Sequence, residues 1–190
     1  MGFLDVITGR RKPVQPAPDR LFAMSTAYVK LETELEITTR GTAAIVFQPL
    51  STADFASIVK DMEEVVRATA KDSGTTVADS DDSYGYRWLI LRGNDFDDLV
   101  VGINAVSGAL EAGGYGDRTL CAVFAFQDAQ KRPLYWIYNY KRGRFYPFVP
   151  ASGEQQRDTE RELVLKAQIG QELPVEDELE RWFPLWGIPV

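Results

Sequence analysis

Between Arg118 and Val149 the chain carries three apolar runs separated by short turns. Residues 118–126 are apolar on both alternations: Leu120, Ala122, Phe124 and Phe126 on one, Cys121, Val123 and Ala125 on the other. A strand of that kind is covered on both faces and suits the middle of a sheet. After a turn over Asp128–Arg132, the strand Leu134–Lys141 carries Trp136, Tyr138 and Tyr140 on one face. Arg144–Val149 follows, with Gly143 at the hairpin tip. Connections this short cannot hold a parallel crossover, so the three strands form an antiparallel meander. Whatever else the chain does, it must build a sheet around these residues.

The upstream pattern supplies the covering layer. Phe55, Ile58, Val59, Met62, Val65, Val66 and Thr69 recur at helical spacing and predict a helix over Ser51–Ala70. Ser51 or Thr52 caps it, and Asp72-Ser73-Gly74 ends it. Gly93-Asn94-Asp95 opens a second long helix with a stripe of Phe96, Leu99, Val100, Ile103, Val106 and Leu110, stopped by Gly113-Gly114. Strands are predicted at Ala43–Gln48, after the break at Gly41, and at Thr75–Ala78 and Tyr84–Arg92, with Asp79-Ser80-Asp81-Asp82 as an acidic turn. Near the start, a turn over Asp19–Met24 precedes a helix capped by Ser25 or Thr26. Near the end, Glu154–Gln168 reads as a helix with Leu163, Val164 and Ala167 inward, and Pro174–Phe183 as a short last helix. The apolar tail Pro184–Val190 is expected to dock on the body. The order β-α-β-β-α-β-β-β-α predicts an α+β fold: an antiparallel sheet of mixed strand order with two long helices on one face. Residues 1–18 form an amphipathic, basic segment with a proline-rich linker (Pro13, Pro16, Pro18), and residues 19–190 a single α+β domain.

Composition removes several chemistries. The chain of 190 residues has no histidine and one cysteine, Cys121. Histidine-based triads, His-Cys zinc sites and disulfide frameworks are therefore excluded. The net charge of −7 disfavours general nucleic-acid binding. No apolar run reaches the length of a membrane span, and residues 1–6 lack the basic start of an export signal, so a cytoplasmic protein is expected. Charge is uneven. Segment 129–153 has five bases (Lys131, Arg132, Lys141, Arg142, Arg144) and no acid, whereas 154–182 has nine acids and four bases. Basic regions on an acidic body are expected.

Two places carry candidate contact chemistry. The first is the apolar-basic N-terminus: Phe3, Leu4 and Ile7 followed by Arg10, Arg11 and Lys12. Such a segment suits a partner helix, weak contact with an anionic membrane at its inner face, or packing on its own domain. The second is the hairpin tip with Lys141, Arg142, Arg144 and Tyr146. Aromatics beside cations can stack bases and hold phosphates, though alternating aromatics equally suit a half-buried sheet. Other clusters carry less. The aspartates 79, 81 and 82 lack the glycine and distal glutamate of a calcium loop. The pairs Glu63/Glu64 and Glu160/Glu162 sit on charged helix faces. Gly113-Gly114-Tyr115-Gly116 runs from helix to strand, the reverse of a phosphate loop. Cys121 reads as a buried, inert thiol. No catalytic residue, metal ligand or cofactor is expected.

Several strings resemble a known family. They are Met1-Gly2-Phe3-Leu4-Asp5 with Gly9-Arg10 and Lys12-Pro13, then Asp82-Ser83-Tyr84-Gly85-Tyr86-Arg87-Trp88-Leu89, and then Tyr140-Lys141-Arg142-Gly143-Arg144-Phe145-Tyr146-Pro147-Phe148. Glu172-Leu173-Pro174-Val175-Glu176 and Arg181-Trp182-Phe183-Pro184-Leu185-Trp186-Gly187 complete the set. The chain resembles PspAB, the PspA-associated proteins of actinobacteria and some archaea. The resemblance implies a non-enzymatic adaptor of the phage-shock, envelope-stress response that associates with the coiled-coil protein PspA near the membrane. It implies no catalytic residues. Two other readings stand beside it: a nucleic-acid-binding module using hairpin 134–149, and a secretion-chaperone-like domain that grips a peptide in an apolar groove.

Overall fold

The sheet is built outward from β4 (Thr119–Gln127), the strand apolar on both faces, which pairs with β1 (Thr38–Phe47) on one side and β5 (Pro133–Asn139) on the other. The computed structural model describes residues 18–190. The predicted N-terminal contact residues Phe3, Leu4, Ile7, Arg10, Arg11 and Lys12 therefore lie outside the described residues. β3 (Arg87–Arg92) and β2 (Thr76–Asp81) extend the sheet beyond β1, and β6 (Arg144–Phe148) extends it beyond β5. The order is β2-β3-β1-β4-β5-β6, with every pairing antiparallel. The predicted α+β class and mixed strand order are what the structure has.

Helices cover one face. α1 (Pro18–Leu21) and α2 (Ala23–Glu34) come first, then α3 (Ala53–Ser73), α4 (Phe96–Ala112) and α5 (Thr159–Ile169). α4 is the central cover and touches β1, β3 and β4. Its predicted stripe is buried in full. The Asp95 carboxylate caps it by accepting from the Asp97 and Asp98 N–H groups at 2.8 and 3.3 Å. Gly102 lets it approach closely, because a Cβ there would sit 2.3 Å from Leu91 Cδ2. α3 packs on α4 and β2 and is capped as predicted, with Phe55 N–H donating to Thr52 Oγ1 at 3.3 Å. Phe96 joins the layers through Tyr28 of α2 and through Phe124 and Phe126 of β4, at ring separations of 4.4, 5.8 and 5.4 Å.

Several sequence expectations are corrected. β1 begins at Thr38 and runs through Gly41, where its register with β4 slips between Thr39 and Thr42. The glycine makes a bulge instead of a strand end. The acidic run is not a free turn: residues 79–81 belong to β2, and β3 starts later than predicted, at Arg87. α2 starts at Ala23 without a side-chain cap, so neither Ser25 nor Thr26 has that role. Val65 of α3 faces outward. In α5 the inward residues are Glu162, Leu165 and Ile169, while Leu163 and Val164 are exposed. A charged anchor sets that rotation: the buried Glu162 carboxylate accepts from Val149 N–H at 2.8 Å and from Arg157 Nε at 2.9 Å. Pro174–Phe183 is not a helix beyond one 3-10 turn at Leu179–Arg181. Its first residues instead line the outer edge of β6, where Phe145 N–H donates to the Pro174 carbonyl and Glu176 N–H to the Phe145 carbonyl. An open strand edge with unpaired amides outcompetes local helix propensity.

The bulge yields a prediction. Gly41 holds φ +66°, and a Cβ there would lie 2.8 Å from the Gly93 carbonyl oxygen. Gly41→Ala is expected to lower stability by about 1–3 kcal/mol, read as a reduced urea midpoint with unchanged slope.

Candidate functional site

The pleat sends neighbouring residues to opposite faces, so the register defines what lies opposite the helices. Phe47 points at Phe55 of α3, with ring centroids 6.3 Å apart. Its neighbour Val46 therefore faces the other way. Val46 pairs with Trp88 on one side and Cys121 on the other, and Cys121 pairs with Asn139. These four side chains form a row across the second face of the sheet.

The C-terminal tail crosses that face as a strap. Tyr146 Oη donates to the Phe183 carbonyl at 3.1 Å, and Tyr135 Oη to the Val190 carbonyl at 3.3 Å. Arg157 Nη1 donates to the Trp182 carbonyl at 2.6 Å. The Trp186 ring stands edge-on to Phe148 at 5.1 Å. The tail is docked, as its composition predicted. Between strap and sheet lies a cavity of about 450 Å³. Val46, Trp88, Cys121 and Tyr146 form its floor, and Leu185 and Trp186 its cover. At its mouth stand Tyr84 and Phe183, 77% and 57% exposed, with Asp82 and Lys141 beside them. The size and aromatic lining are those of a binding pocket.

Its ionisable groups are held in fixed states. Burial pushes the Cys121 thiol up to about 12, so it stays protonated. Burial also raises the Tyr146 phenol well above its ordinary range. Partial burial works against the charge on Asp82, but hydrogen bonds outweigh it and hold the carboxyl below its ordinary range. Those bonds come from Trp88 Nε1 (2.9 Å), Tyr86 N–H (3.0 Å) and Tyr84 N–H (2.9 Å). Asp82 thus shapes the β2–β3 turn and locks the indole on the cavity floor. Asn139 Oδ1 is buried without a hydrogen-bond partner, one strand away from Cys121. Among the described residues no group of histidine, cysteine, aspartate or glutamate side chains is arranged to hold a metal ion.

The hairpin tip is organised differently from its sequence reading. Trp136, Tyr138, Tyr140, Phe145, Tyr146 and Phe148 are all buried and offer bases no stacking surface. Tyr146, expected as a surface contact, is only 3% exposed, because its side chain lies under the strap. Lys141 and Arg142 are exposed and Arg144 half-buried. The arginines are not free: Arg142 Nε binds the buried Glu176 carboxylate at 3.0 Å, and Arg144 Nη1 binds the Val175 carbonyl at 3.0 Å. The acidic 154–182 stretch has folded back onto the basic one. Asp128 likewise takes Arg132 at 2.7 Å and Arg161 at 2.6 Å. The predicted polarity is thus largely consumed in local ion pairs.

The sequence pointed to the tip and missed the cavity. Its signals were present as the alternation around Trp88 and the apolar tail with Trp186, but only the register brings them together.

The fold and cavity define an α+β domain in which a six-stranded antiparallel sheet carries helices on one face and a strap-covered pocket on the other. A family model described as PspA associated protein B matches residues 1–190, and the chain belongs to that family. No curated protein and no solved structure matches the chain.

The Asp82 network gives a second prediction. Asp82→Ala leaves the Trp88 indole N–H buried and unpaired and is expected to cost about 1–3 kcal/mol. The sign with pH follows from the lowered carboxyl. Its stabilisation is complete above the ordinary value of 3.8 and is lost as pH falls through the folded-state value below that. The variant should therefore lose less stability than the native chain on acidification, measured as urea midpoints from neutral pH downward.

Proposed function

We propose that this chain is a non-enzymatic adaptor of the PspA-linked envelope-stress response, holding its coiled-coil partner close to the cytoplasmic face of the membrane. The family description supplies the link to PspA. One observation carries the adaptor reading: the aromatic-lined cavity with Tyr84 and Phe183 exposed at its mouth. Exposed aromatics beside an apolar pocket are the usual anchors of a protein contact. A helix presenting apolar side chains one turn apart can insert them there. The fixed states of Cys121, Tyr146 and Asp82 suit a recognition surface better than acid–base chemistry. No helix among the described residues is long and apolar enough to cross a membrane. Membrane proximity in this reading rests on the apolar-basic N-terminal segment and on the partner.

The test is titration of purified PspA-type protein into the full chain by calorimetry. Tyr84→Ala and Phe183→Ala are each expected to weaken binding about tenfold, the loss of about 1.4 kcal/mol per anchor. Absence of binding, or binding indifferent to both substitutions, refutes the reading. A second measurement addresses the membrane: flotation with anionic vesicles should be salt-sensitive and should fall when Arg10, Arg11 and Lys12 are replaced by alanine.

The cavity also supports a second reading, a secretion-chaperone-like domain that grips a partner as an extended peptide. Preference of the same site for extended over helical peptides would favour it. The nucleic-acid reading has lost its stacking platform to burial of the hairpin aromatics.

A further inference from the structure

A second cavity lies on the helical face, across the sheet from the strap-covered one. Its volume is about 200 Å³. α4 gives it one wall. Asn104, Ser107, Gly108 and Glu111 recur at i, i+3, i+4 and i+7 and make a polar line beside the buried apolar stripe of that helix. Tyr138 and Tyr140 of the β5–β6 hairpin face them with Thr119 of β4, and Leu21 of α1 adds an aliphatic side chain. The two phenol rings meet edge to face at 5.0 Å.

The polar groups of this lining are incompletely matched. Thr119 is 2% exposed, and its Oγ1 has no hydrogen-bond partner. The Tyr140 hydroxyl is buried beside Ser107, whose own proton goes to the Asn104 carbonyl at 3.1 Å. Burial raises both phenols, Tyr138 to about 12, so each keeps a proton to donate. Among the described residues of the lining there is no lysine or arginine, and the one carboxylate, Glu111, is exposed.

These features select an occupant by elimination. An anion would enter with no buried countercharge. A cation would find only Glu111, whose attraction water screens. A hydrocarbon would leave Thr119 as unpaired as before. A hydroxyl both donates and accepts, so it can complete Thr119 and Tyr140 in either sense. The volume equals that of about six or seven waters at roughly 30 Å³ each, and lies below the roughly 300 Å³ at which drug-sized sites begin. A small ring bearing C–H groups on its faces and hydroxyls around its edge suits a lining that is part phenol ring and part hydroxyl.

We propose that this cavity binds an uncharged polyol of monosaccharide size, its hydroxyls pairing with Thr119, Tyr140 and Asn104 and its C–H face packing on the tyrosine rings. The site is independent of the partner contact above, since the two cavities lie on opposite faces of the sheet. Its test contains no partner protein, so the two readings fail separately.

The experiment titrates the full chain with glucose, galactose, mannose and myo-inositol in turn, followed as amide shifts in proton–nitrogen correlation spectra. At least one of the four is expected to move the amides of Ser107, Gly108 and Thr119 saturably. Glucuronate and glucosamine, which add one charge to the same ring, should bind at least about tenfold more weakly. Thr119→Val keeps the shape of the side chain without its hydroxyl and should weaken binding about tenfold. Gly108→Leu fills the cavity from an exposed helical position where a Cβ meets nothing within 4 Å. Helix propensity favours its folding, and it should abolish binding. The proposal is overturned if none of the four probes gives saturable shifts at these amides. It is equally overturned if the shifts persist unchanged in both variants, or if the charged analogues bind as tightly as the neutral ring.

Discussion

A strand apolar on both sides obliges the sheet to be covered twice. β4 has buried residues at every position from Cys121 to Phe126, so neither face can be left to water. The chain has long helices for one face, where α4 and its neighbours supply aromatic and aliphatic stripes. For the other it has mainly an extended tail of apolar residues. An extended strap cannot fill space as a helix does, because it lacks a second row of side chains. The pocket between strap and sheet is the outcome of that shortfall. The most promising functional feature of the molecule thus follows from an imbalance in its covering layers.

Charge is handled by folding one block of sequence onto another. The basic stretch around the β5–β6 hairpin and the acidic stretch after it meet through Arg142–Glu176 and Arg144 with the 174–177 segment, while Arg161 of the later stretch reaches back to Asp128. The Arg157–Glu162 pair at 2.7 Å is the most buried of these contacts, and burial raises the Glu162 carboxyl despite its partner. That pair is better understood as fixing the rotation of α5 than as adding stability, since desolvation offsets much of its attraction. The same pairings leave little free positive charge at the tip for an anionic ligand. A patch that looks basic along the chain need not be basic in space.

The legible parts of this fold were those governed by local pattern. The stripe of α4, its start at Gly93-Asn94-Asp95, the meander 118–149 and the order of elements could all be read from periodicity and turns. The errors arose where a distant partner decided the outcome. Gly41 reads locally as a break, but the carbonyl of Gly93 and the slip against β4 make it a bulge within a longer strand. Leu163 and Val164 read as a buried pair until Glu162 claims the inward position for Arg157 and Val149. Residues 174–176 lose their helix to the open edge of β6. For the site, burial of Tyr146 could not be known without the strap, and the row Trp88–Val46–Cys121–Asn139 exists only once three pairings are in register. The family strings around Trp88 and Trp182–Trp186 include residues that line the cavity, without indicating that they meet.

The strap is gripped by its backbone. The Tyr146 hydroxyl, the Tyr135 hydroxyl and the Arg157 guanidinium all hold carbonyl oxygens, those of Phe183, Val190 and Trp182. A carbonyl is present whatever residue bears it, so these fastenings do not depend on the identities of the side chains they anchor. Fastening by backbone leaves the strap's side chains free of the task of holding it, so Leu185 and Trp186 can be given over to shaping the ceiling of the pocket.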